Sequence, residues 1–244
     1  MPLSVDPASA AALLKIGLLL VTGISVHLSL SPPNPPAPSK HIIDRRTLFE
    51  RCVRWVTFCS KMMVWVETLL DALAVAVSAF PNLPLAPRLA RLLCPSASPA
   101  LTVPSSLLIA GTLAVLCGSV IRLVCFRTLG PLFTFELTIS PAHSLVTHGP
   151  YAIVRHPSYT GIYLTLLGSS AVALAPGSWL HETFGVGTFL AWLVLGFWAV
   201  KVAYALRSTN RRLATEDREL RRAFGPAWEA YAERVPWRLI PGVW

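Results

Sequence analysis

Residues 104–126 read PSSLLIAGTLAVLCGSVIRLVCF, a run in which Arg122 is the one charged side chain. The hydrocarbon core of a bilayer is roughly 30 Å thick, so a helix needs about 20 apolar residues to cross it. This run therefore predicts a membrane-spanning helix. The composition agrees, because 54% of all residues are hydrophobic and 14% are charged, against about a quarter charged in soluble domains. The sequence thus excludes an ordinary soluble enzyme and a disordered chain.

Four further segments of the chain have the same apolar character. Each carries few charges over about 20 residues, and residues 158–175 carry none. A Pro-Gly-Ser turn signal at residues 176–178 then predicts a tight helical hairpin between the last two segments. The predicted spans are residues 8–30, 57–80, 104–126, 158–175 and 183–206. We therefore predict an all-α, polytopic transmembrane protein with about five spans, the first of which has a signal peptide as its alternative.

The connections between these segments differ strongly in basic residues. Residues 31–56, 127–157 and 207–244 together hold 15 Lys and Arg, whereas the opposite loops hold only Arg88 and Arg91. Cytoplasmic loops carry such an excess. The pattern predicts a lumenal N-terminus, a cytosolic C-terminus, and membrane lipid rather than nucleic acid as the partner of the net charge of +9. Residues 80–104 contain six prolines, and we expect an irregular loop there.

The densest polar motif is AHSLVTHGPYAIVRHPSYTG, residues 142–161. It lies directly before the fourth predicted span, and Pro157 suits the first turn of that helix because its missing N–H has no partner to lose there. The free backbone N–H groups at a helix N-terminus attract a carboxylate or a phosphate. We therefore expect His156, Ser158 and Tyr159 to flank a ligand-binding helix start at the cytosolic interface.

A second polar motif is STNRRLATEDRELRRAFG, residues 208–225. Its leucines and Phe224 recur at helical spacing, which predicts a cytosolic, amphipathic C-terminal helix that continues from the last span. Gly225 and the proline after it are expected to end this helix. Arg212 and Glu216 are four residues apart and share a face. Because the last two spans form a hairpin, both polar motifs return to one side of the membrane, where they predict one active or binding site.

Several other kinds of site are not indicated. The five cysteines form no CxxC pair and stand in no ligand pattern with histidine, so we expect reduced thiols, no disulfide and no metal site. The sequence has no GxSxG, no HExxH and no Walker motif.

At its two polar motifs the sequence resembles the isoprenylcysteine carboxyl methyltransferase family. The resemblance covers residues 133 to the C-terminus, a little under half of the chain. The matching residues are His143-Ser-Leu-Val146, Gly149-Pro-Tyr151, Arg155-His-Pro-Ser-Tyr159, Gly161, Arg212, Glu216-Asp217, Phe224-Gly225, Trp228, Tyr231 and Val235-Pro236. The resemblance implies an integral membrane enzyme of the endoplasmic reticulum. Such an enzyme methylates the C-terminal carboxylate of prenylated cysteine in CaaX-type protein substrates, with S-adenosylmethionine as the methyl donor.

The resemblance also implies roles for individual residues. Arg212 is implied to contact the substrate and to be the catalytic residue. Contacts to S-adenosylmethionine are implied for Glu136, His143, Ser144, Leu145, Val146, Tyr151, His156, Pro157, Ser158, Tyr159 and Glu216. On this basis residues 1–126 form an N-terminal transmembrane region and residues 127–244 a methyltransferase core.

Three other functions stay open at this point. A phospholipid N-methyltransferase would use the same cofactor, but it must deprotonate an ammonium, for which Arg212 is unhelpful. A carboxylate is already ionised at neutral pH, which favours the carboxyl methyltransferase. A membrane sterol reductase would use a nicotinamide cofactor. A membrane scaffold with a basic, lipid-binding tail would leave the density of polar residues in residues 143–161 unexplained.

Overall fold

A computed structural model of the chain describes residues 6–35, 48–82, 84–94, 98–135, 144–184 and 188–243. All regular secondary structure in these residues is helical, as predicted. The α-helices are α1 Pro7–Ser29, α2 Leu48–Ala79, α3 Ala86–Leu93, α4 Ser106–Leu129, α5 Pro157–Ala173, α6 Trp179–Phe184, α7 Phe189–Phe224 and α8 Pro226–Arg234. Short 3-10 turns occupy Pro99–Thr102, Gly130–Leu132 and Gly149–Ala152.

Four of these helices, α1, α2, α4 and α7, are long and apolar enough to cross a membrane. This finding confirms a polytopic helical membrane protein. The fourth predicted span is the helix α5, which has 17 residues and a length of about 25 Å. It is therefore shorter than the other four, and the described residues contain four helices of full spanning length where the sequence predicted about five spans.

Two predicted connections differ in the structure. The tight hairpin after α5 contains the additional helix α6. Residues 80–104, expected to be irregular, contain α3 and a 3-10 turn, each with a proline in its first turn. Proline is tolerated at that position because the first backbone N–H groups of a helix have no intrahelical acceptor. Two of the six prolines, Pro87 and Pro99, therefore lie at helix starts and do not indicate an absence of helix.

The predicted helix boundaries around the polar motifs are confirmed. The helix α5 begins at Pro157. The helix α7 runs without a break from the apolar segment through the second polar motif to Phe224. Gly225 then adopts φ +50°, a left-handed conformation that favours glycine, and α8 begins at Pro226.

The chain forms two compact units. Most of the long helices are divided between them, with one part in each unit. The first unit comprises Met1–His27, Lys61–Leu116 and Thr165–Lys201, and the second comprises Leu28–Ser60, Cys117–Leu164 and Val202–Trp244. The predicted division into residues 1–126 and 127–244 stays a prediction.

In the first unit, a fully buried lysine joins α1 to its neighbours. Lys15 Nζ lies 3.1 Å from Asp71 Oδ1 on α2, and both side chains have zero exposure. The same ammonium group donates hydrogen bonds to the carbonyl oxygens of Leu101 (2.9 Å) and Gly177 (2.6 Å). Two hydrogen bonds and one ion pair thus compensate the buried cation, which is how a charge is tolerated inside apolar helices.

Candidate functional site

The second unit brings the two polar motifs together at the first turn of α5. Glu216 and Asp217 of α7 both face His156, which directly precedes Pro157. His156 Nε2 lies 2.8 Å from Asp217 Oδ1, and His156 Nδ1 lies 3.4 Å from Glu216 Oε2. The histidine side chain is buried and bridges the two carboxylates, so it connects the two motifs directly.

Glu216 is also the centre of a second set of contacts. Its Oε1 accepts a hydrogen bond from Arg212 Nε at 2.9 Å, one helical turn earlier, and another from the hydroxyl of Tyr159. Arg212 Nη1 donates to the carbonyl oxygen of Phe135. The Arg212 side chain is only 9% exposed. Its guanidinium is therefore held in a fixed orientation beside a half-buried carboxylate.

Asp217 joins the C-terminal segment to the start of α5. Its Oδ2 lies 3.4 Å from Arg155 Nη2 and 3.2 Å from Arg238 Nε. The backbone N–H groups of Arg155 and His156 donate to the carbonyl oxygens of Trp237 and Arg238, each at 2.9 Å. One buried carboxylate and two backbone hydrogen bonds thus hold the residues after α8 against His156.

Arg122 of α4 contacts the first turn of α5, where the site lies. Its side chain is buried, and its Nη1 donates to Ser158 Oγ at 2.9 Å, while Nε donates to the carbonyl oxygen of Ser29. The guanidinium also lies over the rings of Phe126, Phe133 and Phe135, at 4.9, 5.9 and 5.6 Å from their centroids. Such cation–π contacts are strongest where water is excluded. Arg122 therefore fixes both the start of α5 and the segment whose carbonyl holds Arg212.

The two carboxylates determine the charge of His156. Burial alone lowers the pKa of His156, because it disfavours the charged imidazolium. The hydrogen bonds to Asp217 and Glu216, and the negative charges of these two residues, outweigh burial, and the pKa of His156 is raised. Since both ring nitrogens face carboxylate oxygens, the imidazolium, which donates from both nitrogens, suits this position.

The structure places the predicted site residues in three groups. It brings together His156, Tyr159, Arg212 and Glu216 in one hydrogen-bonded cluster. Pro157 is buried at the helix start beside them, Ser158 faces Arg122, and Tyr151 is buried, with its carbonyl oxygen accepting from Tyr231 Oη at 2.8 Å. Ser144, Leu145 and Val146 are exposed or half-buried and lie outside this cluster. Glu136 and His143 lie outside the described residues, so their placement stays a prediction.

Three residues of the site received no role from the sequence. Arg155 and Asp217 stand among the motif residues that carry the family resemblance, and this match was the available signal. Arg122 had a clearer signal, because a lone charge in an apolar span is expensive unless it is paired or functional.

The donors and acceptors of this cluster fit an amino-acid-containing cofactor. Glu216 and Tyr159 offer polar groups in a buried setting, as ligand sites commonly do. Arg155 Nε and Trp228 Nε1 are buried donors without a hydrogen-bond partner among the described residues. A ligand carboxylate would satisfy such donors, because an unpaired buried N–H is costly. Arg155 Nε and Trp228 Nε1 are thus the buried donors that the carboxylate of an amino-acid-containing cofactor would satisfy.

The same part of the chain matches known proteins. Residues 109–222 match the family model described as the isoprenylcysteine carboxyl methyltransferase family. A probable protein-S-isoprenylcysteine O-methyltransferase of Oryza sativa subsp. indica is 32% identical over 127 residues, which are 51% of this chain and 56% of that protein. The protein-S-isoprenylcysteine O-methyltransferase of Rattus norvegicus is 33% identical over 141 residues, 55% of this chain and 42% of that protein.

The chain spans about half the length of these curated relatives, and no solved structure matches it. The matched segment begins within α4 and ends near the end of α7. It therefore contains Arg122, the start of α5, and the Arg212–Glu216–Asp217 segment of α7. The resemblance predicted from the two polar motifs is confirmed, because residues 109–222 match the model of the isoprenylcysteine carboxyl methyltransferase family.

Proposed function

We propose that this protein methylates the C-terminal carboxylate of prenylated cysteine, with S-adenosylmethionine as the methyl donor. The observation that carries the proposal is the buried Arg212, held by Glu216 and the Phe135 carbonyl. A planar guanidinium with a fixed orientation suits a carboxylate better than it suits an amine or a sterol. The named relatives support the same substrate class.

The residues would divide the work between substrate and cofactor. The bound cofactor would supply an electrophilic methyl group, and the prenylcysteine carboxylate would become its methyl ester. That carboxylate is ionised at neutral pH, so no residue needs to act as a general base. Arg212 would orient the carboxylate by its charge. Glu216, Tyr159 and His156 would hold the cofactor through hydrogen bonds, and the rate enhancement would come mainly from alignment of the two reactants.

Transfer of labelled methyl groups tests this function directly. Membranes containing the protein would receive methyl-labelled S-adenosylmethionine and one of three acceptors: N-acetyl-S-farnesylcysteine, its methyl ester, or phosphatidylethanolamine. We expect base-labile label in the free acid and none in the blocked ester. Label in phosphatidylethanolamine would instead establish an N-methyltransferase. No label with folded protein would contradict the proposal, and nicotinamide-cofactor binding would then test the reductase.

Variants of α7 separate the substrate role from the cofactor role. We expect Arg212→Lys to raise the KM for the prenylcysteine, because a lysine cannot reproduce the fixed fork. Glu216→Gln should mainly raise the KM for S-adenosylmethionine. Arg218→Lys is the matched control for arginine, since Arg218 is exposed on the same helix. Equal kinetics for all three variants and the wild type would remove Arg212 and Glu216 from the site.

We also propose that the site faces the cytosol at the endoplasmic reticulum. The excess of basic residues in the connections assigned to one side supports this orientation. An epitope after the C-terminus should be reached by antibody after selective permeabilisation of the plasma membrane alone. Staining only after the endoplasmic reticulum is opened would place the C-terminus in the lumen.

A further inference from the structure

One face of α7 remains exposed where the opposite face builds the site. Arg207, Arg211 and Arg218 are all exposed, and their spacings of four and seven residues place them on the same side of a helix. In the described part of the chain, neither Arg207 nor Arg211 has an ion-pair partner. Arg212 and Asp217, by contrast, point into the buried cluster. The cluster thus does not account for these exposed arginines.

The basic face continues an apolar face of the same helix. Leu193, Phe197, Val200 and Tyr204 are exposed, Phe197 at 62% and Val200 at 71%. These residues and Arg207 follow one another at intervals of three or four, the spacing of one helical face. An exposed apolar face on a helix that can cross a membrane faces lipid. The lipid-facing side of α7 therefore changes from apolar to basic between Tyr204 and Arg207.

The depth of this change matches the edge of the hydrocarbon core. From Phe189 to Leu206 the helix rises about 27 Å, close to the roughly 30 Å of hydrocarbon. Arg207 then lies at the boundary, and Arg211 lies about 6 Å further along the axis. The headgroup layer of one leaflet is about 5–7 Å thick. A helix along the bilayer normal would thus place both arginines within the headgroup layer.

We propose that Arg207 and Arg211 bind the headgroups of anionic phospholipids. The lipids belong to the leaflet at the C-terminal end of the apolar part of α7. The charge of the two arginines complements such headgroups, and their position on the lipid-facing side makes lipid the neighbour they meet first. An anionic lipid adds attraction of about 1 kcal/mol, or about five-fold in affinity, for each basic residue near the surface. This site lies on the helix face opposite Arg212 and Glu216 and does not depend on the proposed enzymatic function.

Matched pairs of arginines test this proposal. Arg221 and Arg222 are also exposed on α7, but they pair with Glu229 (2.8 Å) and Glu219 (2.7 Å). They also lie roughly 20 Å beyond Arg207 along the axis, further than the Debye length of about 8 Å. Two double variants are therefore compared. The first combines Arg207→Gln with Arg211→Gln, and the second combines Arg221→Gln with Arg222→Gln. Both remove two positive charges, but at different distances from the membrane.

The full-length protein in mild detergent would be titrated with short-chain phosphatidylserine or phosphatidylcholine, and native mass spectrometry would count the bound lipids. We expect the first pair to weaken phosphatidylserine binding by about 25-fold, with phosphatidylcholine unchanged, and the second pair to leave both unchanged. Thermal unfolding would confirm that both variants are folded. Unchanged phosphatidylserine binding in the first pair, or an equal loss in both pairs, would overturn the proposal. An acidic peptide would be titrated as a third ligand, and loss of peptide binding without loss of phosphatidylserine binding would overturn the proposal and assign the face to a protein partner.

Discussion

We expect Asp217→Asn to lower the free energy of unfolding more than the same kind of substitution at a surface carboxylate. The Asp217 side chain is 8% exposed and faces His156 at 2.8 Å, Arg238 at 3.2 Å and Arg155 at 3.4 Å. Removing one member of a buried ion pair typically costs about 3–5 kcal/mol, because the remaining charges stay buried without a partner. Arg238 is 36% exposed and regains water, so the lower end, about 3 kcal/mol, is expected.

The matched control for this variant is Glu219→Gln, on the same helix. Glu219 pairs at 2.7 Å with Arg222, which is 71% exposed, and such surface pairs contribute about 0–1 kcal/mol. For a chain of this size about 3 kcal/mol corresponds to a fall in Tm of roughly 6–12 °C. Circular dichroism of the purified protein in mild detergent would give both Tm values. Equal shifts for Asp217→Asn and Glu219→Gln would refute the assignment of Asp217 as the residue that holds the three cations.

Three further perturbations test other parts of the fold. Lys15→Met should destabilise by about 3–5 kcal/mol because it leaves Asp71 buried and uncompensated, and Lys15→Met with Asp71→Leu should recover most of that loss in thermal unfolding. Gly161→Ala should lower the Tm, since its Cβ would lie 2.6 Å from a side chain and 2.7 Å from a carbonyl oxygen of α4, whereas Gly17→Ala, with nothing within 4 Å, should not. The raised pKa of His156 means that protonated His156 stabilises the fold fully below about pH 6.5, and that this stabilisation is lost as the pH rises through the raised value. The Tm difference between the wild type and His156→Gln should therefore shrink toward alkaline pH, and a pH-independent difference would contradict it.

The sequence predicts the helices well because their signals are local. Apolar length identifies α1, α2, α4 and α7, and Pro157 and Gly225 mark a helix start and a helix end. The short helix α3 escapes prediction because its one proline, Pro87, occupies the first helical turn. Proline frequency alone does not distinguish a first turn from a loop.

The site is only partly predictable, because its contacts join distant parts of the chain. The pairing of Arg212 with Glu216 follows from their spacing on one helix. Arg122 and Ser158 are 36 residues apart in the sequence, and no periodic pattern of residues predicts their contact. The attachment of the C-terminal segment to Arg155 and His156 depends on backbone groups, which carry no side-chain signature at all. These contacts become visible only when α4, α5 and α7 are placed together.

The residue between the two carboxylates shows why a histidine suits this position. Successive residues of an α-helix are rotated by about 100°, so the neighbouring Glu216 and Asp217 side chains diverge. Asp217 faces the cations Arg155 and Arg238, whereas Glu216 faces Arg212. The imidazole of His156 has one nitrogen toward each carboxylate. A lysine would offer a single point charge, whereas a flat ring with donors on opposite edges joins the two diverging groups. Arg212 and the anchored C-terminal segment are thereby coupled through one side chain, so we expect a change at either of them to alter the position of the other.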